Sequence, residues 1–359
     1  MAEESILNLG AEFGAFYLIG GVLMAIKVAV NGFGRIGKLV VRAAFERGFV
    51  GKKFDIVAIN DTHDPKLSAH LFRYDSTQGR YAGAVNGGPG KFTIDGHEIA
   101  ITAERDPALL PWGNLGVDLV LECTGAFTDR AGSSLHLKAG AKKVLISAPC
   151  KGGEADATVV LGVNESVYDK KKHNIVSIGS CTTNCLAPVA KVLDDNFGIE
   201  SGFMTTCHAY TNDQLILDAS HKDFRRARAG AVNIIPTSTG AAKAIGEVIP
   251  KLKGKLDGLA LRVPIPVGSI NDLSVLLSKE AKKEEINAAM RKAAEGEMRG
   301  VLEYTEDPIV SSDIVHTQVS STVDGLSTLA IGKTAKVLSW YDNEWGFSNR
   351  MVEMAAIMF

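Results

Sequence analysis

The sequence predicts a two-part protein: a doubly wound, parallel α/β half followed by an α+β half built on a mostly antiparallel sheet. Two patterns carry this expectation. From residue 25 to about 180, short β-branched runs alternate with helical patterns, which is how parallel strands and their crossover helices read in sequence. From about residue 201, longer strand-like runs succeed one another with few helices between them, as antiparallel strands do. A length of 359 residues suits two domains with a core each.

Composition removes several classes. With 46% apolar and 22% charged residues, and 37 Gly against 11 Pro, disordered, collagen-like and low-complexity readings fail. The 39 basic and 41 acidic residues leave a net charge of −2, so no global field draws nucleic acid or an anionic membrane, and any anion site must be local. Five cysteines, at 123, 150, 181, 185 and 207, point to free thiols in a reducing compartment, with the cytoplasm as default.

Residues 5–24 form the one apolar stretch that resembles a membrane or signal segment. Glu12 and four glycines interrupt it, and its head carries Glu3 and Glu4 rather than Lys or Arg. Met24, followed by AIKVAVNGFGRIG, reads as a second start, so residues 1–24 are expected to be an extension, with 1–23 lacking fixed structure.

In the first half the elements run IKVAVN, a helix at 36–47, DIVAIN, a helix at 65–71, VDLVLECTG and KVLISAP. The second half offers SGFMTTCHAY, DGLALRVPIP, INDLSVLLS and AKVLSWYDN as strands. Helices near 181–197, 239–250 and 283–295 would cover one face of their sheet. An apolar helix closes the chain at 346–359. The expected division is therefore 25–180, completed by helix 346–359, and 181–345.

Gly32, Gly34 and Gly37 spell G-x-G-x-x-G directly after the first strand and at the start of a helix. Glycine there lets the backbone approach a pyrophosphate at the helix N-terminus. The second strand ends in Asn60-Asp61, which places a carboxylate about 20 residues on, where an adenosine ribose is hydrogen-bonded. This context makes the first half a Rossmann-type NAD-binding domain. Asp61 repels a ribose 2′-phosphate and so favours NAD over NADP. Later strand ends, at Thr124-Gly125 and Ser147-Ala148-Pro149, should supply the other edge of the cofactor site.

Cys181, in SCTTNC, follows the strand NIVSIG and opens a helical pattern, so it should sit near a helix N-terminus where partial positive charge favours thiolate. Cys185, one turn on, reads as a buried small hydrophobe. Zinc is disfavoured because no second cysteine or histidine pair accompanies the two, and no metal site is expected. Pro188 should kink this helix or mark its first turns. The residues alone leave His208 between a structural histidine and a base for Cys181; Cys207 beside it reads as core.

Taken together, NGFGRIG, SCTTNC, CHAYTNDQ, RRARAGAVNIIPTSTGAAKA, LRVP and SWYDNEWGFSNR resemble phosphorylating glyceraldehyde-3-phosphate dehydrogenases, over essentially residues 25–359. The resemblance implies an α+β catalytic domain in the second half, with Cys181 as nucleophile and His208 as base. It implies that glyceraldehyde 3-phosphate is oxidised with NAD and inorganic phosphate to 1,3-bisphosphoglycerate through a Cys181 thioester. Gly32, Arg35, Ile36 and Asp61 carry over to the dinucleotide site, and Asn343 to the nicotinamide carboxamide. Thr211 and Arg262 match the site for the substrate's phosphate. Ser180, Thr182, Thr239, Gly240 and Arg226 match the site for inorganic phosphate. Without the family, Arg226 would read as part of a solvated basic loop and Thr211 as a turn-capping hydroxyl.

In the family it resembles, the 209–232 segment is a long loop that packs near a neighbouring subunit's cofactor, so the resemblance implies a homotetramer; the sequence itself shows only that this loop is long and internally charged. Thr62 after Asp61, and Ser220 in that loop, look like members that also use NADP, so NADP is expected as a weaker second cofactor. Two rival functions compete with this one. An erythrose-4-phosphate dehydrogenase would share Cys181 and His208, but the complete inorganic-phosphate set disfavours it. A non-catalytic binding protein on the same fold finds no support in the charge and leaves the catalytic residues unexplained.

Overall fold

A computed structural model describes residues 16–19, 22–153 and 155–359. The chain forms two compact units. The first comprises the chain up to Thr158 with Ser166–Ile178 and Ser348–Phe359; the second comprises Val159–Glu165 and Gly179–Phe347. Residues 159–165 thus join the second unit although 25–180 was expected as one domain, and Val160 is buried in the second unit's core.

The first unit is built on one large sheet. Its spatial strand order is Ala157–Thr158, Ile175–Ser177, Lys143–Ile146, Leu119–Glu122, Val22–Asn31, Phe54–Asn60, His97–Thr102, Lys91–Ile94 and Val85–Gly88. The pairings from Ala157–Thr158 through His97–Thr102 are parallel, and the last three strands form an antiparallel tail. Val28, Ala29 and Val30 are all buried, as a strand covered on both faces requires. Because Val22–Asn31 is flanked by Phe54–Asn60 on one side and Leu119–Glu122 on the other, the strand order reverses there, and the crevice at its carboxyl end is the place for a ligand.

Helix α1 (Arg35–Glu46) turns Leu39, Val40, Val41, Ala43 and Ala44 inward. Helix α2 (Pro65–Arg73) starts on Pro65, with the Asp64 carboxylate accepting from the Lys66 N–H. The antiparallel tail escaped the sequence reading because its strands are short and separated by glycine-rich turns. Phe16–Ile19 pairs antiparallel with Val22–Ala25, so part of the stretch expected to lack fixed structure is a hairpin arm; residues 1–15, 20 and 21 lie outside the described residues.

In the second unit the spatial order is Ile235–Ser238, Leu256–Val263, Ile199–Ala209, Ser269–Leu277, Thr334–Tyr341, Ser321–Ile331 and Leu302–Thr305. Four of its pairings are antiparallel and two parallel. Helices α3 (Cys181–Phe197), α4 (Ala241–Val248) and α5 (Lys283–Glu295) bury Leu186, Val189, Ile245, Ile286 and Met290 in one core with Met204, Leu273 and Val337. Each such side chain contributes about 1.5–3 kcal/mol by leaving water.

Helix α3 runs unbroken through Pro188, held by burial of most of its residues. The expected helix at 239–250 stops at Val248, because Ile249 precedes Pro250 and takes an extended φ of −128°. The last helix, Trp345–Ile357, begins within the second unit and ends within the first. Among the described residues, no helix is long and apolar enough to cross a membrane.

Alternation on Ile199–Ala209 puts Met204, Thr206 and His208 on the buried face and Phe203, Thr205 and Cys207 on the other. Cys207, expected in the core, is half-buried on the outward face for this reason. Cys185 is fully buried, as expected.

Candidate active site

In the first unit the glycine loop is shaped by contacts that exclude any side chain. Gly32 has φ +91°, and a Cβ there would lie 2.7 Å from Thr124 Cγ2 and 2.8 Å from its nitrogen. A Cβ on Gly37 would lie 2.0 Å from the Gly32 carbonyl oxygen. Nothing stands within 4 Å of a Cβ on Gly34, the residue capping helix α1. Two glycines therefore close the turn, and the third leaves open backbone at a helix N-terminus, the cradle a pyrophosphate needs. Ile36 follows half-buried on the first turn. Arg35 is held to Asp75 at 2.7 Å and to Thr77 Oγ1 at 2.8 Å.

Asp61 is almost wholly buried at the end of its strand. Its Oδ2 accepts from Ser68 Oγ at 2.5 Å, and its Oδ1 from the His63 N–H at 3.2 Å, with His63 Nδ1 2.8 Å away. Burial pushes this carboxyl up, but the hydrogen bonds from Ser68 and His63 outweigh it and hold it below the usual carboxylate range. Thr62 is exposed. Thr124, at the end of Leu119–Glu122, is exposed against Gly32, and Ser147 follows the next parallel strand, its N–H bonded to the Glu122 carbonyl.

In the second unit Cys181 is the first residue of helix α3. Ser180 caps it, its Oγ accepting from the Thr183 N–H at 3.0 Å. Cys181 Sγ lies 3.5 Å from His208 Nε2. His208 pairs in register with Arg262 on the neighbouring parallel strand. Its Nδ1 lies 2.7 Å from the Ala209 carbonyl oxygen and 2.6 Å from Arg262 Nη1. Nδ1 thus sits between an acceptor, the Ala209 carbonyl, and a donor, Arg262; the tautomer a base needs is the one with the proton on Nδ1 toward Ala209, which leaves the Nε2 lone pair toward Sγ.

Burial and the Arg262 charge push His208 down to about 3, so its resting form is the neutral imidazole. Burial pushes the Cys181 thiol up, against the pull of Arg262, Thr182 and the first-turn amides. The expected helix-end effect on Cys181 is thus present, but desolvation overrides it.

Four of the anion-ligand candidates, Thr211, Arg226, Thr239 and Gly240, lie on the 209–240 segment. The Thr211 N–H donates to Gln214 Oε1 at 2.9 Å. Arg226 bonds the Asp213 carboxylate and reaches the Ser238 carbonyl at 3.4 Å. Thr239 Oγ1 accepts from the Ala241 N–H at 3.2 Å, and Gly240 caps helix α4 with open space at its Cβ position. Arg262 is mostly buried beside these groups, and its Nε is buried with no hydrogen-bond partner among the described residues. Thr182 is tied instead to Tyr341, Oγ1 to Oη at 2.9 Å, and Tyr341 also meets Thr206 Oγ1 at 2.8 Å.

Asn343 is buried, with Oδ1 accepting from Ser269 Oγ at 2.9 Å; the same Oγ accepts from the Ala209 N–H at 3.1 Å. Tyr341 and Ser269 were not singled out from sequence. Tyr341 sits edge-on to the His208 ring with centroids 5.9 Å apart. Its one signal was an inward position on a strand whose neighbours alternate.

Two family models match the chain. One, described as glyceraldehyde 3-phosphate dehydrogenase, NAD binding domain, covers residues 26–130, and one described as its C-terminal domain covers 180–343. Glyceraldehyde-3-phosphate dehydrogenase 2 of Streptomyces avermitilis is 56% identical over 93% of this chain and 99% of its own. The proteins named glyceraldehyde-3-phosphate dehydrogenase from Geobacillus stearothermophilus and glyceraldehyde-3-phosphate dehydrogenase 1 from Bacillus subtilis are each 55% identical over 93% of this chain and 98% of their own.

Proposed function

The chain belongs to the glyceraldehyde 3-phosphate dehydrogenase family, and from that footing we propose how its own residues carry the reaction. It is an NAD-dependent oxidoreductase of glyceraldehyde 3-phosphate. The observation that carries the proposal is the Sγ to Nε2 approach of 3.5 Å at the start of helix α3.

His208 takes the Cys181 proton as Sγ bonds to the aldehyde carbon, and returns it to the oxygen of the resulting hemithioacetal. When the hydride leaves that carbon, His208 takes the hydroxyl proton, and a thioester remains on Cys181. NAD supplies the hydride acceptor. The cradle of Gly32, Gly34 and Gly37, with Asp61 for the ribose, fits its pyrophosphate and adenosine half. Asn343 would hold the carboxamide.

Inorganic phosphate then attacks the thioester carbonyl. Sγ leaves and recovers its proton from His208, and the attacking phosphate gives up its own proton to water. Arg262 with Thr211 recognises the substrate's phosphate; Arg226 with Ser180, Thr182, Thr239 and Gly240 recognises the attacking one. Incubating enzyme with substrate and NAD but no phosphate, followed by peptide mass spectrometry, tests this. An acyl group on Cys181 is the expected result, and acylation elsewhere would contradict it.

NADP is the weaker cofactor, because the Asp61 charge faces any 2′-phosphate. The subunits form a homotetramer: Phe203 and Ile331 on the second unit's sheet, and Ile216, Leu217 and Phe224 in the 209–232 loop, are largely exposed in the single chain. Five free thiols suit a reducing compartment, the cytoplasm.

A further inference from the structure

One buried feature of the first unit has no part in the reaction as described: a chain of polar side chains in an otherwise apolar layer. Asn31, Asn60 and Glu122 end three adjacent parallel strands, and Asn31 is in register with both of the others. All three are buried, as is His136. Asn31 Nδ2 donates to Glu122 Oε2 at 2.6 Å, and Asn60 Nδ2 donates to Asn31 Oδ1 at 2.8 Å. His136 Nε2 lies 3.0 Å from Glu122 Oε2. Its tautomer follows from Trp112, whose Nε1–H can only donate and reaches His136 Nδ1 at 3.0 Å. Nε2 therefore carries the proton and donates to Glu122. The other carboxylate oxygen accepts from the Thr124 N–H at 2.8 Å and from the Thr124 hydroxyl.

The three strand-end members stand one or two residues before a candidate cofactor residue. Asn31 is followed by Gly32, Asn60 by Asp61, and Glu122 stands two residues before Thr124. The Gly32 N–H also donates to the Asn60 carbonyl at 3.0 Å. Thr124 in turn packs against the face of Gly32 where a Cβ would sit.

We propose that Glu122 is the positioning residue of the dinucleotide site, locking the Gly32, Asp61 and Thr124 loops in mutual register through Asn31, Asn60 and the Thr124 backbone. A buried carboxylate is costly unless fully hydrogen-bonded, and an apolar group of similar volume would often stabilise a core at least as well. What an apolar group cannot do is fix three strand ends at once by directional bonds. His136, held by Trp112, keeps the carboxylate in place. This inference rests on the reading of Gly32, Asp61 and Thr124 as the NAD site.

The test uses the full-length enzyme and titrates NAD by calorimetry alongside steady-state kinetics. Glu122→Gln keeps the shape but turns an acceptor into a donor facing the Asn31 and His136 donors. It should raise the NAD dissociation constant about tenfold, with kcat and the KM for glyceraldehyde 3-phosphate within about twofold. An unchanged NAD dissociation constant in the folded variant, with or without a lowered melting temperature, overturns the proposal and leaves the network purely structural. Should Glu122→Gln not fold, His136→Leu and His136→Gln give the same contrast. Leu, which cannot donate to Glu122, should weaken NAD binding and Gln should restore most of it; equal affinities overturn the proposal. Asp61→Ala in the same titration separates the two readings, since its failure to weaken NAD binding would refute the site itself whatever Glu122 does.

Discussion

His208 and Arg262 occupy paired positions on adjacent parallel strands, with Arg262 Nη1 2.6 Å from His208 Nδ1. Burial first, and then the guanidinium beside it, oppose a positive charge on the imidazole and keep it neutral.

A pH dependence follows. The folded state holds His208 at about 3, against roughly 6.5 for an unperturbed histidine, so below neutrality the unfolded chain binds a proton that the folded chain refuses. The stability associated with His208 is fully present above about pH 6.5 and is lost as pH falls toward 3. Denaturant titrations across pH 7 to 4.5 should show His208→Gln losing less stability than the parent. Parallel pH profiles for the two proteins would contradict this.

Replacing Arg262 by Met removes the charge that depresses His208 and the proposed phosphate ligand together. The KM for glyceraldehyde 3-phosphate should rise about a hundredfold, and the acid limb of kcat/KM should move to higher pH. A raised KM with an unmoved acid limb would show that Arg262 does not act on His208.

Gly34→Ala and Gly37→Ala separate ligand approach from chain packing. A Cβ at Gly34 meets no protein atom, so this variant should keep its melting temperature and lose NAD affinity. A Cβ at Gly37 meets the Gly32 carbonyl at 2.0 Å, so that variant should lose stability as well. Thermal melts with NAD titrations check both.

Cys185 lies between Ser321 Oγ and Ser339 Oγ, each 3.3 Å from its sulfur, and burial pushes its thiol to about 12. It should resist alkylation in the native enzyme and react only on unfolding, while Cys181 is alkylated natively. Peptide mapping after iodoacetamide treatment reads both.

Much of this was legible in sequence where periodicity and punctuation agree. Helix Cys181–Phe197 stands where its pattern places it, and the strand carrying His208 lies within two residues of expectation. The Lys91–Ile94 and His97–Thr102 hairpin was not legible, because four-to-six-residue strands between glycine turns leave too short a period to read. Cys207 was misplaced because a single apolar-reading residue does not reveal which face of a strand it occupies. The upward push on the Cys181 thiol was hidden for a different reason. A helix N-terminus can be read locally, whereas the desolvation that opposes it comes from residues far along the chain. The Glu122 network was invisible for the same reason, since its partners are separated by up to 105 positions.

The most direct test of the account is NADH formation from glyceraldehyde 3-phosphate with and without inorganic phosphate, in the parent enzyme and in Cys181→Ser. The account predicts sustained turnover that requires phosphate and is abolished by the substitution. Turnover without phosphate, or turnover that survives the loss of Cys181, would contradict it.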